Sequence, residues 1–199
     1  MYQLIFIVIS ALFLSACSLN KAPMTEYTIH TNMQDGDLTS RGCADKSLKV
    51  SQAFSPNNLM SLKMNYAQGS YKQFAYSESQ WADSPNRAIT AEIIKLLRET
   101  DLFKSIQTDK SRSKNDFILE TNIEDFMQYF TNDSNESYSS IVMSLSLLDS
   151  NTNTIVSTKT FNIKVQSDSL DANGGVEALN KALEDILTQV RNWLNEVCK

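Results

Sequence analysis

An α+β fold, a mostly antiparallel sheet with two helices on one face, is predicted by three observations. Apolar and polar side chains alternate between residues 48 and 76 and again between 117 and 165, the period-two signature of half-buried strands. From Pro85 to Asp101 and from Val176 to Val197 the apolar residues recur every three or four positions instead, so each run of strands closes on an amphipathic helix. A chain of 199 residues that is 42% apolar is long enough to bury one core and short for two. The order is ββ(β)α-βββα.

Leu4 to Leu14 is an almost unbroken apolar run of eleven residues, about half of what a helix needs to cross a bilayer, and it reads as a secretion signal. It closes on Leu14-Ser15-Ala16-Cys17, which resembles the bacterial lipobox. That resemblance implies a signal peptide over residues 1–16 and lipidation of Cys17 by diacylglycerol and an amide-linked acyl chain, palmitate being the type case. Multiple acyl chains, at roughly 0.8 kcal/mol per buried methylene, would hold the chain in its membrane. Ser18 follows the cysteine where an aspartate would imply retention at the inner membrane, so the expected address is the outer membrane, facing the periplasm. Residues 17–46 are polar apart from Glu26 to His30 and read as a flexible tether containing one short edge strand, ahead of a single domain over 47–199. In an oxidising compartment Cys43 and Cys198 are expected to pair.

Within the domain, Leu48, Val50, Gln52 and Phe54 form the first strand phase, and Met60, Leu62, Met64 and Tyr66 the second. Ser55-Pro56-Asn57-Asn58 supplies the turn between them. Ala67-Gln68-Gly69-Ser70 turns into a third strand at Tyr71 to Tyr76. Ser84 as a cap and Pro85 at the first helical position start a helix whose apolar stripe is Ile89, Ile93, Leu96 and Leu97. Gln107 to Asp116 is a polar loop in which Lys110, Arg112 and Lys114 make either a solvated turn or a basic docking patch. Phe117 to Phe130 is a long strand whose phase slips near Phe126, predicting a bulge. Thr131 to Ser140 connects to a strand with Ile141, Met143, Leu145 and Leu147 in phase, and Asp149 to Asn153 turns it onto Ile155 to Val165. Asn173-Gly174-Gly175 is expected to break the chain before the closing helix, whose stripe runs Val176, Leu179, Leu183, Ile186, Val190, Trp193, Val197.

Composition excludes several kinds of chemistry. With 23 acidic against 18 basic side chains and a net charge of -5, the field repels nucleic acid. His30 is the one histidine, and it sits in the polar segment ahead of the domain, away from any packed nucleophile. Three cysteines far apart do not make a zinc site or a redox pair. No metal or other cofactor is expected. Glu120, Glu124 and Asp125 lie on a strand whose geometry suits a solvent face better than a paired acid and base. An envelope hydrolase is therefore disfavoured.

The lipobox, Tyr27-Thr28-Ile29, the strand at Leu48 to Phe54, the approach from Tyr76 to Trp81-Ala82, Pro85 opening a helix, Leu96-Leu97 followed by Leu102-Phe103, and the closing helix through Trp193-Leu194 together resemble the ABC-type transport auxiliary lipoprotein family, the paraquat-inducible protein C group. The resemblance covers nearly the whole mature chain. It implies a non-enzymatic docking component that works with an MCE-domain protein and ABC transporter components to move lipid or other hydrophobic molecules, and it leaves homo-oligomer formation open. Tyr71, Phe74, Tyr76 and Trp81 are the candidate docking aromatics, since such residues carry much of the energy of interfaces; alternatively they pack the junction of sheet and helix. A second reading is a lipoprotein activator of a peptidoglycan synthase, which a longer tether rich in Pro and Gln would favour.

Overall fold

The computed structural model describes residues 23–33 and 41–199. Its elements run β1 (Thr25–Tyr27), β2 (Ser47–Val50), β3 (Lys63–Gln68), β4 (Lys72–Trp81), α1 (Pro85–Arg98), β5 (Ser105–Thr108), β6 (Phe117–Phe130), β7 (Ser137–Asp149), β8 (Thr154–Gln166) and α2 (Ala172–Val197). β6 is the trunk of the eight-stranded sheet. Along one edge it pairs antiparallel with β7 over its full length, and β7 in turn with β8. Its other edge is shared. β2 runs parallel to Phe117–Leu119 and β3 parallel to Gln128–Phe130, with β5 beyond β2, and β4 and then β1 beyond β3. The long ladders are antiparallel, as predicted, and the parallel pairings are short.

One sheet face carries Leu48, Val50, Leu119, Ile123, Ile141, Met143, Leu145 and Phe161, and the apolar stripes of α1 and α2 close over it as one core. Fully burying such side chains contributes about 1.5–3 kcal/mol each. The predicted stripe of α2 is buried from Val176 to Trp193, with Val197 half-buried. The slipped phase in β6 is a bulge: the register with β7 shifts between Ile123 and Asp125, which brings Phe126 back to the core.

Several boundaries differ from the sequence reading, each for a local reason. The expected first strand splits, because Ala53 donates its amide to the Thr90 hydroxyl on α1 and the chain rejoins the sheet only as a single bridge between Phe54 and Asn122. Asn57–Met60 coils into a 3-10 turn, so β3 starts late and leaves Met60 and Leu62 exposed. β5 lies partly in the stretch read as loop; its four residues are all half-buried on an edge and carry no alternation. Ser84 occupies the cap of α1, but its carbonyl rather than its hydroxyl accepts, from the amides of Arg87 and Ala88 at 3.0 Å each.

The expected break at Asn173-Gly174-Gly175 is instead the first turn of α2, capped by the Asp171 carboxylate, which accepts from the Gly174 amide at 2.9 Å. The glycines serve close approach: a β-carbon at Gly174 would collide with the Ser169 backbone, and one at Gly175 with the Gln128 side chain. This seating also explains why β7 begins earlier than its apolar phase. Ser137, Ser139 and Ser140 are buried, and the Ser139 hydroxyl donates to the Gly175 carbonyl at 3.0 Å.

The described part of the supposed tether is built into the fold. β1 pairs with Ser79–Trp81, and Ile29 and Thr31 are buried. Both helices grip this strap by its main chain. On α2, Asn180 accepts from the His30 amide (3.1 Å) and donates to the Thr28 carbonyl (3.4 Å). On α1, Glu92 accepts from the Thr31 amide (3.1 Å) and hydroxyl (2.6 Å), while Lys95 donates to the Thr31 carbonyl (3.1 Å). Glu92→Ala is expected to leave the Thr31 amide without an acceptor, at a cost of about 1–3 kcal/mol. Hydrogen exchange at Thr31 should then quicken about tenfold or more; unchanged protection would show that Glu92 does not hold the strap.

The strap's neighbour in sequence, Cys43, is buried and disulfide-bonded to Cys198 with 5.2 Å between the Cα atoms, so the last turn of α2 is tied to the approach to β2. No helix among the described residues is long and apolar enough to cross a membrane.

Candidate docking site

Five of the seven tyrosines collect at one end of the sheet, where the β3–β4 hairpin, the end of β6 and the start of β7 meet. Gly69, at φ +64°, makes the hairpin turn, and its missing side chain lets the turn sit against Asn132 in the β6–β7 connection. The Gln68 amide donates to the Ser134 hydroxyl across the same gap at 2.7 Å. The turn therefore holds Tyr71 at the tip, 99% exposed.

On the face that carries the helices, but beyond the start of α2, Tyr66 is the hub of an aromatic group. It stacks on Phe74 at 5.4 Å, tilts against Tyr76 at 4.6 Å and meets Phe130 edge-on at 5.3 Å. Phe74 is 42% exposed. Tyr76 is the anchored member: its hydroxyl donates to Gln128 Oε1 at 2.7 Å, and Gln128 Nε2 donates to the Ser137 hydroxyl at 3.0 Å. Burial, with smaller contributions from Tyr66, Asp171 and Tyr27, pushes the Tyr76 phenol far above its ordinary range, so it stays a neutral donor.

The opposite face of the same end carries Tyr129 stacked on Tyr138 at 5.4 Å, with the Lys164 ammonium 5.2 Å from the Tyr138 ring. The Tyr129 hydroxyl donates to Asp125 Oδ1 at 2.8 Å. Burial raises the Asp125 carboxyl, against hydrogen bonds from Ser140 and Tyr129 that lower it. Beside this pair is an open cleft of about 370 Å³ lined by Asn58, Gln73, Glu124, Asp125 and Tyr129 among others.

Of the four aromatics singled out from sequence, the structure brings together Tyr71, Phe74 and Tyr76. Trp81 does not join them. It is 4% exposed, packs against Phe126 at 5.7 Å and belongs to the buried core. Trp81 is a core residue and not the surface contact expected from the sequence. Sequence reading missed Tyr66, Phe130, Tyr129 and Tyr138. The pairing of β3 with the far end of β6 joins residues more than sixty positions apart, and only the uneven supply of tyrosine hinted at it.

Other expected sites resolve simply. Cys17 lies outside the described residues. His30 is exposed, with Nδ1 3.6 Å from Glu92 Oε1, on the strap and not at a nucleophile. Glu124 accepts from the Ser144 hydroxyl at 2.8 Å. Among the described residues no three His, Cys, Asp or Glu side chains are grouped to hold a metal.

A family model described as the ABC-type transport auxiliary lipoprotein component matches residues 27–191. The fold is similar to that of protein XCC0632 from Xanthomonas campestris, with a TM-score of 0.76 and 16% identity over 87% of this chain and 96% of that one. It is also similar to the crystal structure of an uncharacterized protein, with a TM-score of 0.62 and 11% identity over 85% of this chain and 97% of that one. No curated protein matches the chain.

Proposed function

Because the chain belongs to the family of ABC-type transport auxiliary lipoprotein components, we propose that it is a non-enzymatic docking component, anchored through acylated Cys17 in the outer membrane and facing the periplasm. Its partners in this reading are an MCE-domain protein and the ABC transporter components that work with it. The observation that carries the reading is the rigid, tyrosine-rich end of the sheet, where Tyr71 and Phe74 present aromatic surface on a hairpin fixed from below by Tyr76 and Gln128. Aromatic side chains on rigid supports lose little entropy on binding and are enriched among interface residues with large energies.

The docked strap supports the same placement. β1 starts eight residues after Cys17, and eight residues span at most about 28 Å when fully extended. An acylated Cys17 would keep the β1 edge that close to the bilayer. A reach of that size also weighs against the runner-up, activation of a peptidoglycan synthase through the wall, which needs a long spacer.

The test is capture of the MCE-domain partner by the full lipidated chain. Tyr71→Ala combined with Phe74→Ala is expected to weaken capture about tenfold or more while leaving the melting temperature in place. Undiminished capture by the folded double variant would remove the hairpin from the proposal.

A further inference from the structure

We infer that the tyrosine-rich end receives a positively charged protein segment that also bears apolar side chains, an inference that rests on the docking reading above and names the chemistry of the partner.

Three connections converge at this end: residues 68–72, 131–136 and 167–171. They are joined by the bond from Gln68 to Ser134 and by the Ser167 amide donating to the Ser137 carbonyl at 2.9 Å. Their charged residues are one lysine, Lys72, against Asp133, Glu136, Asp168 and Asp171. Among the described residues none of these four carboxylates is in an ion pair.

Two of them are held ionised by local bonds. The Thr131 hydroxyl and the Asn135 amides hold Asp133 below the usual carboxylate range, and the Gly174 amide and Ser169 hydroxyl do the same for Asp171. These two carboxylates therefore keep their charge to lower pH than an ordinary aspartate. At the opposite end of the sheet the β5–β6 connection is nearly balanced, with Lys110, Arg112 and Lys114 against Asp109 and Asp116.

An aromatic platform inside an acidic rim selects by sign. The ring faces attract ammonium and guanidinium groups, and Lys164 over Tyr138 is that contact made within the chain. The unpaired carboxylates add long-range steering for a cationic partner and repel anionic headgroups. Phe74 and Tyr71 supply the apolar surface that a purely basic ligand would leave uncovered. The occupant is therefore a basic, apolar-bearing stretch of protein and not a phospholipid surface.

The experiment places the photo-reactive residue p-benzoylphenylalanine at position 71 of the full lipidated chain in its own membrane and identifies the adduct by mass spectrometry. The expected adduct is a peptide of net positive charge. In the combination Asp133→Asn, Glu136→Gln and Asp168→Asn its yield should fall about tenfold and lose its dependence on salt, with the melting temperature unchanged. If Asp133→Asn disturbs its own turn, Glu136→Gln with Asp168→Asn gives the same reading at smaller amplitude.

An adduct with phospholipid, or with a neutral or acidic peptide, overturns the inference. So does a yield that ignores the loss of the carboxylates; if capture still depends on Tyr71 and Phe74 in that case, docking at this end stands and only the charge argument falls. No adduct, together with full capture by the Tyr71→Ala, Phe74→Ala variant, overturns both.

Discussion

Trp81→Ala is expected to destabilise the domain by about 3–5 kcal/mol, the range for truncating a buried large aromatic side chain. A domain of this kind has about 5–15 kcal/mol of stability in all, so the loss should move the midpoint of urea unfolding far toward water. The cost arises because the indole, 4% exposed and in contact with Phe126, would leave a cavity in the core that its neighbours fill only in part. Tyr71→Ala, at a side chain 99% exposed, should shift stability by no more than about 0.5 kcal/mol. The contrast separates core from docking surface by measurement. A stable Trp81→Ala protein that nevertheless lost its partner would put the indole back among the docking residues.

The second large effect is expected from Cys43→Ser. The bridge to Cys198 closes a separation of 155 residues, for which the chain-entropy treatment gives about 5 kcal/mol; native disulfides in small secreted domains are commonly worth about 2–5. Both thiols are buried beside the last turn of α2, so that turn should fray first. Hydrogen exchange should quicken from Trp193 to Cys198 before it does at β6 and β7, and reductant should reproduce the effect in the unmodified chain. Equal unfolding midpoints with and without reductant would mean that the fold already holds its termini together.

Much of the architecture was legible because it is local. The stripe of α2 and the alternation of β7 follow from burial of one face, and each can be read within about ten residues. The slip in β6 was readable for the same reason: one extra residue inverts the side-chain phase, and Phe126 marks where it does. The elements that escaped are those whose stabilising partner is distant. β7 begins on serines because Gly175 lies over them, and β5 is a strand because β2 pairs with it. The strap looked like tether because its polar main chain is satisfied by Glu92, Lys95 and Asn180, side chains at least sixty positions away.

The amino-acid order alone determined the class of fold, the two helices, the bulge and the family, since periodicity, caps and turn chemistry act between near neighbours; the Cys43–Cys198 bridge was an expectation from sequence that the structure bears out. Tertiary structure decided which aromatics face water and which are buried. Trp81 and Phe74 lie on the same strand, and their sequence surroundings do not distinguish them; one is buried against Phe126 in the core, and the other stacks on Tyr66 and stays 42% exposed. Coverage by an element from elsewhere in the chain sets exposure, and that is a property of the assembled layers.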